Sequence, residues 1–165
     1  MEDFDLMPGN AKIWIYQSPQ KLTQDEQRYI SSELTHFVGS WESHGSKVKG
    51  SFQILNDLFV ILAVDESMTT ASGCSIDKSV HIMENVSQHL KIDFFNRTNV
   101  AHLINGDIAI DKLKDFKKLI SEGLVNGDTL VFNNTITIKH QLAESWKVKL
   151  KDSWLSQFLS SKASV

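Results

Sequence analysis

Residues 58–64 are apolar at all seven positions, and this run constrains the fold more than any other part of the sequence. A strand with one solvent-exposed face alternates apolar and polar residues, whereas a strand that is apolar throughout must be covered on both faces. Seven residues are too few to cross a bilayer, which requires about 20. We therefore expect residues 58–64 to form a central, buried strand of a soluble domain.

The segments around this strand predict the order βαββαβ. Thr23 and Glu26 have the spacing of a helix capping box, and apolar residues at helical spacing follow as far as Trp41. Asn56 and Asp57 both tolerate positive φ and are typical of a two-residue hairpin turn. In chain order the predicted elements are a strand at 12–16, a helix at 23–41, strands at 47–54 and 58–64, a helix at 76–90 and a strand at 99–104.

This order is the split βαβ pattern of ferredoxin-like folds. In that topology the first and third strands are central, and Lys47 and Lys49 would protect the second strand as an edge. The remaining chain predicts a helix around Phe116, a strand at 129–136 and two further short helices. We expect one α+β domain over residues 1–165, with a ferredoxin-like core that carries a C-terminal strand and helices.

Composition excludes several classes of protein. Hydrophobic residues make up 41% and charged residues 22% of the chain, as in globular proteins. The net charge of −3 argues against general nucleic-acid binding, which requires clustered Lys and Arg. Cys74 is the only cysteine, so no intramolecular disulfide can form, and the sequence starts without the features of a signal peptide. These observations predict a cytoplasmic protein that binds neither nucleic acid nor membrane.

Two predicted loops, 41–45 and 65–75, should meet at one end of the sheet. Since the second and third strands form a hairpin, the start of one lies beside the end of the other. We expect this end to carry the functional site. Its candidate residues are Trp41, His44, Asp65, Glu66, Ser72, Cys74, Ser75 and Asp77.

Residues 71–77 are the most unusual part of this region, because small residues precede a predicted helix. Free N–H groups at a helix start favour an anion, and a thiol placed there can become a nucleophile. His44 could then act as the base for Cys74, with Asp77 or Asp65 orienting the imidazole. Trp41, Asp65, Glu66, Ser72 and Ser75 would line a binding site for a small anionic ligand or a protein partner.

A structural interpretation of the same residues stands beside the catalytic one. A lone cysteine is more often a small buried hydrophobic residue, and we favour this interpretation of Cys74. Ser72 or Ser75 could cap the helix, and Asp77 could complement its dipole from the first turn. The six histidines form no H-x-x-x-H pair, so we expect neither a metal site nor a cofactor.

Four segments resemble a family of uncharacterised bacterial proteins of about this length: 40–45, 59–67, 71–80 and 151–154. The resemblance covers nearly the whole chain and implies a shared fold, but it implies no site residue. Members are often labelled "ABC transporter ATPase". That activity requires the G-x-x-x-x-G-K-[ST] loop that cradles phosphates, and this sequence contains no Gly-Lys-Ser or Gly-Lys-Thr.

Three hypotheses for function follow. The first is a non-catalytic binding or assembly module with its site at the 41–45 and 65–77 loops. The second is a thiol-dependent enzyme that uses Cys74 with His44. The third is a structural domain that oligomerises through an exposed sheet edge or face.

Overall fold

The structure, a computed structural model, describes residues 1–159 as two compact α+β units. Unit 1 comprises residues 1–95 and 135–140, and unit 2 comprises residues 96–134 together with the chain from Gln141 onward. Helices and antiparallel sheets occur in both units. No helix in the described part of the chain is long and apolar enough to cross a membrane.

Unit 1 contains five strands and two long helices. The capping box predicted at the first helix is formed, because Thr23 Oγ1 accepts from the Glu26 N–H and Glu26 Oε2 accepts from the Thr23 N–H. The elements are β1 (Lys12–Gln17), α1 (Gln24–Ser40), β2 (Glu42–Ser43), β3 (Ser46–Lys47), β4 (Lys49–Leu55), β5 (Phe59–Asp65) and α2 (Gly73–Leu90).

The predicted central strand is confirmed. β5 lies between β1 and β4 in an antiparallel sheet, and every side chain from Phe59 to Val64 is fully buried. Alternate residues Val60, Leu62 and Val64 pack in the core with buried side chains of α1 and α2. The β4–β5 turn is also confirmed, since Asn56 and Asp57 both have φ of 55°.

Unit 2 contains a four-stranded antiparallel sheet, whose strands in spatial order are Asp107–Lys112, Asn99–Ile104, Leu130–Phe132 and Lys147–Lys149. Its core is formed by residues from the sheet, the third helix and the C-terminal 3₁₀ turns, with Phe116 and Leu150 fully buried. The elements are β6 (Asn99–Ile104), β7 (Asp107–Lys112), α3 (Leu113–Ser121), β8 (Leu130–Phe132), α4 (Gln141–Glu144), β9 (Lys147–Lys149) and 3₁₀ helices at Leu150–Asp152 and Trp154–Phe158.

The ferredoxin-like arrangement of strands is wrong. β6, the fourth strand of the predicted core, pairs with β7 and β8 rather than with β1. β7 was not predicted, yet Asn105 and Gly106, with φ of 52° and 84°, connect it to β6 through a two-residue turn that makes this pairing local. The outer edge of β1 pairs instead with residues 137–139, where Ile13 N–H donates to the Thr137 oxygen at 2.9 Å. The expectation of a single domain stays a prediction.

The predicted strand at 129–136 ends early, at Phe132. Asn134 Oδ1 accepts a hydrogen bond from Trp146 Nε1 at 2.9 Å, and Asn133 N–H donates to the Trp146 oxygen at 2.6 Å. These two hydrogen bonds therefore connect the segment that follows β8 to Trp146.

Candidate functional site

The β2–β3 hairpin lies at the predicted end of unit 1 and was not predicted from the sequence. His44 and Gly45 form its turn, with φ of 51° and 78°. Two positive φ values in succession are the requirement of a type I′ turn. The available sequence signal was the His44-Gly45 pair, since glycine adopts positive φ without steric cost.

Ser43 connects this hairpin to the loop before α2. Its side chain is 1% exposed, and its Oγ donates to the Thr70 oxygen at 2.9 Å and accepts from the Ser72 N–H at 3.1 Å. The two bonds hold three successive residues of the loop against the hairpin. Ser43 was not among the predicted site residues, because nothing in its sequence neighbourhood distinguishes it from an exposed serine.

Glu66 fixes the same loop from the other side. One of its carboxylate oxygens accepts from the Ala71 N–H at 2.9 Å, and the other lies 2.7 Å from Lys12 Nζ on β1. The carboxylate is therefore used inside the protein as a clamp on the loop.

Asp65 ends β5 and starts the loop. Its Oδ1 accepts from the Ser67 N–H at 2.9 Å, and Lys49 Nζ lies 3.9 Å from its Oδ2. Hydrogen bonds from the backbone and the side chain of Ser67, with a smaller effect of Lys49, lower the pKa of Asp65 despite partial desolvation. Asp65 is thus held as a carboxylate that shapes the turn.

The start of α2 is organised by two serines, as the structural interpretation predicted. Ser72 is the N-cap, and its Oγ accepts from the Ser75 N–H at 3.2 Å. Ser75 is buried, and its Oγ donates to the Ser72 oxygen at 2.8 Å. Trp41, 1% exposed, donates from Nε1 to the Ser75 oxygen at 2.9 Å. The polar atoms of Trp41, Ser72 and Ser75 are therefore engaged within unit 1.

Cys74, His44 and Asp77 are all exposed. The interpretation of Cys74 as a buried hydrophobic residue is wrong, because the thiol lies on the outer side of the first turn of α2. Asp77 is the fifth residue of α2 and lies beyond that turn, so the predicted interaction with the helix start is not formed. Within residues 1–159, no hydrogen bond or ion pair connects any two of the three side chains.

Met68 is the most exposed large hydrophobic residue near these loops, with 78% of its surface accessible. It lies between Asp65 and Thr70, in the loop that Ser43 and Glu66 hold in place. A fixed loop therefore presents an apolar side chain to solvent beside the start of α2.

A second group of polar side chains lies in unit 2 and was not predicted from the sequence. His102 on β6 is fully buried, and its Nε2 lies 2.7 Å from Asp111 Oδ2 on β7. Its Nδ1 is buried without a hydrogen-bond partner, and its ring packs on Phe116 at 4.9 Å between centroids. Among the described residues, no group of three or more His, Cys, Asp and Glu side chains is arranged to hold a metal ion.

Comparison with protein-family models, with curated proteins and with solved structures finds no match for this chain. The function must therefore be inferred from the residues themselves.

Proposed function

We propose that this protein is a non-catalytic binding module for a protein partner. Its binding surface consists of the β2–β3 hairpin, the loop at residues 66–72 and the start of α2, and we refer to it as the hairpin–loop surface. The observation that carries the proposal is the exposure of Met68 on a loop held by Ser43 and Glu66.

Preorganisation supports binding at this surface. A loop that is already fixed loses little conformational entropy when a partner binds, so more of the contact free energy becomes affinity. An exposed apolar side chain beside polar, accessible neighbours resembles the anchor and rim of protein interfaces. Because Ser72, Ser75 and Trp41 use their polar atoms internally, they act as the scaffold of the surface rather than as ligand contacts.

Cys74 allows a direct test, since it is the only cysteine and lies on this surface. The thiol is labelled with a small fluorophore, and cytosolic fractions are titrated while anisotropy is recorded. The matched control is Cys74→Ser/Asp115→Cys, which places the same label on the exposed side of α3 in unit 2. We expect a protein fraction to raise the anisotropy of both labelled proteins, because each becomes part of a larger complex. The fluorescence intensity should change only for the label on Cys74, which the partner would contact.

Met68→Asp in the labelled protein should weaken this binding at least ~10-fold, as truncating an interface anchor does. Equally strong binding by Met68→Asp would exclude the hairpin–loop surface as the binding site. The same change in fluorescence intensity for both labels would exclude it as well. A response confined to small molecules would instead support the anionic ligand at the free N–H groups of the α2 start.

A thiol-dependent enzyme is the second candidate, favoured by the exposure of Cys74 in the first turn of α2. If His44 activates the thiol, His44→Ala must slow alkylation of Cys74 by iodoacetamide in the folded protein. The structure shows no hydrogen bond between the two side chains, so the binding-module proposal expects equal rates. His81→Ala on α2 is the matched control, because His81 is an exposed histidine outside the proposed catalytic group.

We also propose that the protein is cytoplasmic, as an exposed and unpaired thiol is best maintained in a reducing compartment. Membership of the bacterial family that the sequence resembles remains a proposal.

A further inference from the structure

The chain contains two Asn-Gly pairs, Asn105-Gly106 and Asn126-Gly127, and both lie in unit 2. An asparagine that precedes glycine is prone to lose its side-chain ammonia, because the glycine nitrogen approaches the side-chain amide carbon with no Cβ to hinder it. In a folded protein the reaction also requires that the asparagine and the glycine can rotate towards each other. The structure holds the two pairs very differently, so they can be compared within one unit.

Asn105 and Gly106 are exposed and form the tip of the β6–β7 turn, with φ of 52° and 84°. Neither the Asn105 side chain nor the Gly106 N–H makes a hydrogen bond within residues 1–159. A Cβ at Gly106 would meet no described atom within 4 Å, its chain neighbours aside. Tips of this kind open locally at little cost in free energy. The side chain and the glycine nitrogen are therefore free to meet.

Asn126 and Gly127 are instead fixed on both sides of the peptide bond that joins them. Asn126 Oδ1 accepts from the Asp128 N–H at 2.8 Å, and the Asn126 N–H donates to Thr129 Oγ1 at 3.0 Å. The Gly127 oxygen accepts from the Lys151 N–H at 3.0 Å. A Cβ at Gly127 would lie 3.3 Å from Lys151 Cβ, so this glycine is packed against its neighbour. The same reaction at Asn126 must first break these contacts.

We propose that Asn105 is a site of spontaneous deamidation and that its hydrogen bonds protect Asn126 from the same reaction. The Gly106 nitrogen forms a bond to Asn105 Cγ, the bond from Cγ to Nδ2 breaks, and Nδ2 leaves as ammonia with the proton from the Gly106 nitrogen. Water then opens the resulting succinimide ring and supplies one oxygen of the new carboxylate. Opening at Cγ keeps the main chain normal and leaves an isoaspartate, whereas opening at the main-chain carbonyl carbon would do the reverse.

The isoaspartate product changes the β6–β7 hairpin. Its main chain runs through the former side chain and gains one carbon, so the turn no longer provides the two positive φ values in succession that a two-residue turn requires. The new carboxylate also lies two positions from Asp107, which has the same charge. This hairpin holds His102 against Asp111. Deamidation therefore weakens the strand pairing around a buried histidine. The proposal concerns unit 2 alone and does not depend on the proposed binding function.

The test is the rate of deamidation at each asparagine in the folded, full-length protein. The protein is incubated at mildly alkaline pH in water enriched in heavy oxygen, which marks each new carboxylate, and its tryptic peptides are followed by mass spectrometry. Trypsin separates the two sites, because Lys112 and Lys118 lie between them. We expect Asn105 to react at least ~10-fold faster than Asn126, since two ordinary hydrogen bonds must be broken at Asn126.

Denatured protein is the matched control, because guanidinium removes the hydrogen bonds and leaves both Asn-Gly pairs intact. The two rates should then become similar. Asn105→Gln should remove the fast reaction and leave the rate at Asn126 unchanged, since glutamine would have to close a larger ring. Equal rates at the two asparagines in the folded protein would overturn the proposal. So would a preference for Asn105 that persists undiminished in guanidinium, because the folded structure would then not be its cause.

Hydrogen exchange measures the effect on the hairpin. In protein that mass spectrometry shows to be deamidated, the amides of β6 and β7 beside the turn should exchange faster than in fresh protein, and those of β4 and β5 should be unchanged. Asn105→Asp is the control variant, because it introduces the charge without the extra main-chain carbon, and it should exchange more slowly than the deamidated protein. Unchanged exchange of the β6–β7 amides after deamidation would overturn the proposed effect on the hairpin.

Discussion

The indole Nε1 of Trp41 donates a hydrogen bond to the main-chain oxygen of Ser75, 2.9 Å away. Trp41 follows the last residue of α1, and Ser75 belongs to the first turn of α2. One buried side chain therefore connects the end of one helix with the start of the other. This connection positions the hairpin–loop surface, because β2 begins directly after Trp41.

Gly50 provides the space that the Trp41 ring needs. A Cβ at Gly50 would lie 2.9 Å from Trp41 Cε3, closer than carbon atoms pack. We expect Gly50→Ala to lower the free energy of unfolding by about 1–3 kcal/mol, as overpacking does, measured by urea denaturation. Gly39→Ala in α1 is the control: nothing lies within 4 Å of its Cβ, so this change should stabilise the helix by about 0.5–1 kcal/mol.

Ser43 should be the most sensitive serine of the hairpin–loop surface. Ser43→Ala removes two hydrogen bonds and leaves the Thr70 oxygen and the Ser72 N–H without a partner. We expect the free energy of unfolding to decrease by about 1–3 kcal/mol. Ser46→Ala on the exposed β3 strand should change stability by less than about 0.5 kcal/mol. Equal effects of the two substitutions would show that Ser43 does not hold the loop.

Asp65 should contribute to stability in a pH-dependent manner. Hydrogen bonds from Ser67 hold the pKa of Asp65 below its ordinary value of 3.8 in the folded protein. The stabilisation is therefore complete above that value and is lost as the pH falls through the folded-state pKa. As the pH is lowered from ~6 to ~2, the melting temperature should decrease less steeply in Asp65→Asn than in wild type. Parallel curves for the two proteins would contradict this role.

The His102–Asp111 pair should be more important to unit 2 than its single hydrogen bond suggests. Asp111→Ala leaves the fully buried His102 without a partner at Nε2, in addition to the unpartnered Nδ1. We expect a loss of about 1–3 kcal/mol in the free energy of unfolding. Asp107→Ala, at the exposed start of β7, is the control and should change stability little. Hydrogen exchange of the β6–β7 amides would locate the effect in this hairpin.

Elements that depend on short-range patterns were predictable. The apolar run placed β5 at the centre of a sheet, the Thr23–Glu26 pair marked the start of α1, and Asn56-Asp57 marked a turn. The location of β6 at Asn99–Ile104 was also confirmed. In each case a few neighbouring residues contain the whole physical signal.

Pairing between distant segments was not predictable in the same way. The pattern of β6 shows that it is a strand but does not show which strand it joins, and the same holds for residues 137–139 beside β1. A three-residue strand such as β8 or β9 has too few positions to show alternation. These elements are fixed by their neighbours in space.

The sequence by itself determined the buried strand, the long helices, the tight turns and the presence of one lone thiol, because these follow from local composition and spacing. Only the tertiary structure decided the sheet partners, the exposure of Cys74 and the burial of Ser43, Ser75 and His102. Burial and hydrogen-bond partners depend on what the chain brings together across dozens of residues, as Trp41 and Ser75 show. A serine or a cysteine carries no local signal of which neighbours it will have.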